Sequence, residues 1–503
     1  MTITDSTPCS TPCSQDDLDV LIVGGGISGL TTAWWLAQKG LRVQVWEKSS
    51  RAGGMIKTDM NNGFQTEQAA SMIMNFKPEV DQFFSHSGLE QHKAKRLLES
   101  ENNRYLIHQG KLQALPMTIV PLFFSSMWST SGKLRLLMEP FIRKAKKDNE
   151  TVSEFVTRRF GREFLEKAME PFIAGTLASD PDLACARHVI PRLTALERNF
   201  GSITAGIFAH KITGKRTARN PQSFSFKAGM ETLPQHLAKD PKIGFHGNIT
   251  VKNLIRHKRN SENYWQVLAS SPDGDIQCNA RHVVLSSPAD SAAQLIKPLN
   301  QQLSLLLSSI DYAPLSVVHI GLERSAIKHP LDSAGFLVPR QEQANGKIAI
   351  NGNLWMSSIF SGRAPDNSVL LSSYLGGSRH PSAIKLSSQD SIDQVLHDIS
   401  PLLGIHSNTT PIIGQVDKQL RALPMYHGNY QQKLNAIEQE LQGLAGLYLE
   451  ANYIGGVSVR DRIVSAKNTA AKIIKQISAA NNKSYKKEFI PSFIDKAPVE
   501  RPA

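Results

Sequence analysis

Three glycines near the start of the chain, Gly24, Gly26 and Gly29, have the spacing G-x-G-x-x-G. The first permits a tight turn, the second lets backbone approach a pyrophosphate, and the third lets a helix pack closely on a strand. Ile27 and Ser28 lie between them, at a predicted helix start whose N–H groups favour phosphate. Glu47 follows 18 residues after Gly29. Its carboxylate would accept from ribose hydroxyls and disfavour a 2′-phosphate, although a glutamate that merely closes a strand would look the same. Next to Lys48, the run Arg51-Ala52-Gly53-Gly54 sets a cation and a glycine doublet where the chain must pass close to a long ligand. That second patch points to FAD rather than NAD. Removing hydride from carbon needs an electron sink that no side chain provides, so the flavin carries the chemistry and no catalytic side chain is assigned. The histidines form no H-x-x-x-H or H-E-x-x-H cluster, and no metal is implied.

The elements that must position these residues form a βαβ opening. Residues 19–23 are a short apolar strand, 30–39 a helix ended by Gly40, and 41–46 a second strand. Residues 264–268, an Asp273-Gly274 turn, 276–278 and 282–285 read as a meander returning to a buried strand. Residues 446–449 form a late strand, and 459–477 have helical spacing through Ile463, Ala466, Ile473 and Ile477. The expected fold class is α/β plus α+β. A Rossmann-like nucleotide domain is assembled from residues 18–75, 225–300 and 440–480. Residues 76–114 and 301–439 form a mixed-sheet substrate domain, residues 115–224 a helical region, residues 1–17 a flexible leader, and residues 481–503 a flexible tail.

The 503 residues suit two or three domains. With 41% hydrophobic and 20% charged residues the chain has an ordinary globular composition. A net charge of +13 favours an anionic partner. Zinc-finger spacing, an RNP-like signature and a long basic helix are all missing, so no nucleic acid is expected. Cys9, Cys13, Cys185 and Cys278 do not make a disulfide framework. The acidic first nineteen residues lack the order of a signal peptide, and no apolar run reaches the ~18 residues of a membrane span. A cytoplasmic location follows, with any membrane contact peripheral and on the inner face. Residues 115–147 suit such contact: Phe123, Phe124, Met127 and Trp128 precede Lys133, Arg135, Arg143, Lys144, Lys146 and Lys147, an apolar wedge beside cations. A helical core with a solvated basic face would give the same pattern.

The order of strand, G-x-G-x-x-G, glutamate and R-x-G-G resembles the FAD-binding half of flavin amine oxidases, phytoene desaturases and protoporphyrinogen oxidases. Later motifs choose among them: Arg104-Tyr105-Leu106, Arg159-Phe160-Gly161, Glu170 through Thr176, Gly335 through Pro339, Tyr374 through Arg379, Ala422 through Tyr426, and Asn452 through Asp461. Together they resemble the oxygen-dependent protoporphyrinogen oxidase family over roughly residues 18–480. The resemblance implies an amine-oxidase/p-hydroxybenzoate-hydroxylase type of FAD domain with non-covalent FAD. Val251, Asn452, Val457, Ser458 and Val459 would join the motifs above at the cofactor. Leu337, Leu354 and Tyr374 would be pocket walls, Arg104 the partner of a propionate, and Gly175 a backbone contact. Read as residues alone, Leu337 and Leu354 could equally be core, Arg104 a surface charge and Gly175 a helix end. The implied partners are a porphyrinogen-like substrate and O2, and a homodimer is compatible with the resemblance. The implied reaction is oxidation of protoporphyrinogen IX to protoporphyrin IX in haem or chlorophyll synthesis. The alternatives are coproporphyrinogen III oxidation, a divergent amine or pyrroline oxidase or desaturase, and a scaffold that binds flavin or tetrapyrrole without turnover. Departures from the family pattern are Ala69, Ser71, Leu177, Ser179, Ala228, Glu450 and Ala451.

Overall fold

The computed structural model describes residues 18–480 apart from 102, 116–124, 126, 146–148, 213–221, 260–261 and 345–347. The leader 1–17, the tail 481–503, Cys9, Cys13, Phe123, Phe124, Lys146 and Lys147 therefore lie outside the described residues.

The run Leu18–Val23 is short, apolar and rich in β-formers, and it becomes the central strand of a seven-stranded sheet. Val43–Trp46 and then Ile243–His246 pair on one side of it, and Gly274–Leu285 on the other, all parallel. Leu447–Leu449 adds a further parallel strand against Val283 to Leu285. Burial on both faces explains the unbroken apolar runs. Residues 276–278 and 282–285, expected as two strands, are one strand of twelve residues. Its first half pairs antiparallel with Glu262–Ser271, which in turn pairs with Thr250–Arg259. The opening helix Ile27–Ala37 and the last helix Val459–Ala480 pack together over this sheet. Their core includes Leu30, Ala33, Ile463, Ala470 and Ile473.

A second seven-stranded sheet has the order Ile413–Pro424, Tyr312–Glu323, Ser368–Gly376, Ile350–Trp355, Ser333–Leu337, Asn103–His108, Lys111–Ala114. All its pairings are antiparallel except that between Ser333–Leu337 and Asn103–His108. One face is covered by the helix Ser388–Leu403 through Val395, Ile399 and Leu403. Two smaller sheets, Thr58–Asn61 with Phe64–Glu67, and Ile73–Asn75 with Gln222–Phe226 and Lys93–Lys95, carry the chain between the larger ones.

The helical region packs about Phe155, Leu165, Ile173 and Ile203. Its polar knot is buried: Arg159 bonds Glu139 and Glu197, and Arg158 bonds Glu150 and Glu197. Burial would raise the Glu139 carboxyl, but bonds from Thr204, Ile203 and Ser202 reverse this and hold it below its usual range. Met127 and Trp128, expected in an apolar wedge, are instead buried, and Trp128 stacks on Phe164. Burying both aromatic faces yields more than leaving them at the surface.

Candidate functional site

The strand Leu18–Val23 delivers the chain into the glycine turn, where Gly24 has φ +112°. The Gly25 amide donates to Glu47 Oε2 at 2.6 Å, and the Ser49 amide and hydroxyl each donate to Oε1 at 2.9 Å. Glu47 is thus buried and clips the turn in place. The Gly53 amide donates to the Gly25 carbonyl at 2.8 Å, and Gly26 and Gly53 form a bridge. Two glycine patches far apart in sequence terms therefore make one surface. Arg51 donates to the carbonyls of Ala52, Gly54 and Ile56 and pairs with Glu231 at 3.4 Å, bracing the doublet beside which it was expected. Lys48 is exposed. The Ile249 amide donates to the Glu47 carbonyl, and half-buried Val251 follows two residues on, paired with Ala269.

A Cβ on Gly26 would meet nothing within 4 Å, so open space stands over the start of the opening helix. The first-turn amides of a helix, here those of Ile27, Ser28 and Gly29, lack intrahelical partners. Space and donors together fit a dinucleotide pyrophosphate. A Cβ on Gly29 would strike the Gly24 carbonyl, so that position serves helix–strand approach.

Asn452, Val457, Ser458 and Val459 lie where the last helix begins. Ser458 caps it, accepting from the Asp461 amide at 3.1 Å and donating to Asp461 Oδ2 at 2.6 Å. Beneath this loop Glu450 and Arg462 are fully buried and 3.0 Å apart. Arg462 also donates to the carbonyls of Ala451 and Ile454, while Ser465 and Thr469 donate to Glu450. The side chain of Glu450 thus turns under the loop into the last helix. The Tyr426 hydroxyl donates to the Asn452 carbonyl, tying the second sheet to the same loop.

The four side chains expected at a substrate share one face of the second sheet. Leu337 pairs with Gly352, which pairs with Tyr374, and Leu354 pairs with Gly335 and Ser372. Leu106 pairs with Leu337, and Arg104 precedes it by two positions. Paired residues, and residues two apart, point the same way. Leu337, Leu354 and Tyr374 are only partly buried there, whereas Phe336, Trp355 and Leu375 on the opposite face are buried. Arg104 is exposed at the edge. The helix Glu170–Leu177 packs against this sheet, tied by Glu170 to Arg379 and to the Arg340 amide. Gly175 sits inside that helix rather than at its end, which falls at Ala178 with φ +50°. A Cβ at Gly175 would strike Leu337, so glycine is what lets the helix approach.

Ser71 bonds Tyr374. Ala228, one of the substitutions expected to crowd a ligand, is exposed. Sequence reasoning missed Glu67, which is buried and accepts from the Met230 amide at 2.9 Å and Thr58 Oγ1 at 2.8 Å. Burial pushes its carboxyl up to about 7 against those bonds and against Arg363, 3.8 Å away. His319, also missed, pairs with Ser372 on this same face and lies fully buried there, with Nδ1 2.8 Å from Ser372 Oγ, and burial holds it down at about 4. Among the described residues, no group of three His, Cys, Asp or Glu side chains could hold a metal ion.

The model of the flavin containing amine oxidoreductases matches residues 27–474, nearly the whole described chain. The chain belongs to that family. It is an FAD-dependent oxidoreductase, and the glycine cradle and the loop before the last helix are the elements available to hold the cofactor. Protoporphyrinogen oxidase of Nicotiana tabacum mitochondria is 30% identical over 490 residues, covering 92% of this chain and 96% of that one. Coproporphyrinogen III oxidase of Bacillus subtilis (strain 168) is 25% identical over 89% of this chain and 96% of its own. Among solved structures, a chain from Exiguobacterium sp. 255-15 matches with TM-score 0.75 at 19% identity, covering 92% of this chain and 100% of that one. Cyclohexylamine oxidase from Brevibacterium oxydans IH-35A matches with TM-score 0.62 at 16% identity, with 92% and 100% covered. The likeness to these structures shows a shared flavoprotein fold.

Proposed function

We propose that this protein oxidises protoporphyrinogen IX to protoporphyrin IX, with O2 as the final electron acceptor. The observation that carries the reading is the partly buried strip of Leu337, Leu354 and Tyr374 with Arg104 at its edge and the Gly175 helix against it. A broad apolar wall with a peripheral cation suits a large hydrophobic ring bearing carboxylates. Arg104 holds a propionate, since a guanidinium fork matches a carboxylate. Bound FAD supplies the hydride acceptor. The protein's own residues bind the ring flat, exclude water and fix which carbon faces the cofactor. The tobacco relative, named as a protoporphyrinogen oxidase, supports this substrate.

Arg96 is near Arg104, but its guanidinium is spent on Ser100 Oγ and the Ser100 carbonyl. Arg104 is exposed at this edge, and Lys111, paired with His108, points to the same face, so a second cation is available for another carboxylate and the two porphyrinogens are separated by the test below. The test is anaerobic mixing with protoporphyrinogen IX and, in parallel, coproporphyrinogen III. Rapid bleaching of the flavin by the first, followed on aeration by porphyrin fluorescence and peroxide, is the expected result; bleaching by neither substrate defeats the reading. Arg104→Ala should keep its flavin and raise KM about tenfold or more, by the loss of a charge-assisted contact.

We further propose that the helical region rests on an anionic membrane surface. Leu134, Leu137, Met138, Ile207, Phe208, Phe141 at 78% exposure and Ile212 at 82% stand beside Arg143, Lys144 and Lys211. Among the described residues no helix is long and apolar enough to cross a membrane, so this contact is peripheral.

A further inference from the structure

One polar pair near the cofactor loop has no part in the reading above. Past the left-handed Ala178, the chain turns buried Ser179 into a small cavity lined also by Leu177, Val189, Pro424, Tyr426 and Val457. Val457 belongs to the loop before the last helix, and Leu177 ends the Gly175 helix, so the cavity lies between the cofactor elements and the substrate wall. Of its two polar linings, Tyr426 has already given its hydroxyl to the Asn452 carbonyl. Ser179 Oγ instead meets His427 Nε2 at 3.1 Å.

We propose that Ser179 and His427 are the proton outlet of the oxidation, a proposal that rests on the porphyrinogen reading. Bound FAD would take the hydrogen and electron pair of one substrate C–H bond as hydride. The adjoining pyrrole N–H bond breaks, and its electrons complete the new double bond. That proton goes to Ser179 Oγ while the serine's own proton moves to His427 Nε2. Atoms and charge balance as one hydride and one proton removed per step.

The surroundings suit an acceptor. Burial holds His427 below the usual histidine range, against the opposing pull of Asp180 and Asp311. Asp180 pairs with Arg340 at 2.6 Å, and the same guanidinium holds Asp182 at 2.8 Å. His188, whose ring packs on Tyr426, is also held down by burial, with Arg187 adding to the effect. His427 is therefore neutral at pH 7 and able to take a proton.

The experiment uses flavin-loaded wild type, His427→Gln and Ser179→Ala with protoporphyrinogen IX from pH 5.5 to 8. Wild-type kcat should fall below the histidine's ionisation. His427→Gln should lose that acidic limb and lower kcat at pH 8 about 100-fold, within the range for a positioned general base, at unchanged flavin content and KM. Ser179→Ala should do the same because it breaks the link to the cavity. A His427→Gln enzyme within about twofold of wild type and with the acid limb intact overturns the proposal. So does a variant that only sheds flavin or only raises KM, since that marks packing. No flavin bleaching in wild type removes the porphyrinogen reading and the outlet together, whereas bleaching with an unaffected variant removes the outlet alone.

Discussion

A side chain at position 26 separates folding from cofactor capture. Gly26→Val places its methyls where the protein leaves open space, so the variant should fold with a melting temperature near that of flavin-free wild type. It should nonetheless purify without flavin absorbance, because the methyls occupy the room over the helix start. Gly29→Val, striking the Gly24 carbonyl, should fail to accumulate as folded protein. Glu67 gives a pH-dependent counterpart. Its folded carboxyl is raised from 4.5 to about 7, so the folded state binds the proton more tightly, and the resulting stability is present at low pH and lost as pH rises through 7. Measured by denaturant melts, Glu67→Gln should gain on wild type by about 3 kcal/mol between pH 4.5 and pH 8. A constant difference across that window would show that Glu67 does not titrate there. The glycine turn and Glu47 were legible because their spacing is local. Glu67 with Arg363, and Ser179 with His427, were not, because each pair joins distant segments and neither spacing nor composition encodes the meeting.

At the scale of elements, two contacts carry testable weight. Gly175→Val forces the helix Glu170–Leu177 off Leu337; it should keep flavin but lose porphyrinogen turnover, and overpacking should cost about 1–3 kcal/mol of stability. Arg462→Met leaves Glu450 buried without its cation, which should cost about 3–5 kcal/mol and loosen the loop at Asn452, seen as faster flavin release. The βαβ opening, the late strand and the last helix were readable from strong local patterns. Ile243–His246 was not: it is four residues long with Gly244 inside it, and only pairing with Val43–Trp46 makes it a strand. The burial of Met127 and Trp128 was equally out of reach, since an apolar stretch looks the same whether it meets lipid or protein.

At the scale of the whole molecule, the exposed apolar face of the helical region and the net charge of +13 act in the same direction. Flotation with vesicles rich in anionic lipid should carry the wild type, and Phe141→Glu with Ile212→Glu should abolish it without changing activity on detergent-dispersed substrate. Equal flotation of both proteins would dissociate this face from lipid. The layout of the first sheet also sets a timetable for making the protein. Its central strand leaves the ribosome early, yet the strand Leu447–Leu449, which pairs with Val283 to Leu285, and the helix that packs on Ile27–Ala37 come about 400 residues later. At roughly 5–20 residues per second, tens of seconds separate the first strand of the sheet from the last. During that interval the nascent chain holds an apolar strand with an unfinished sheet around it, which makes it a client for chaperones and leaves cofactor insertion until synthesis is complete.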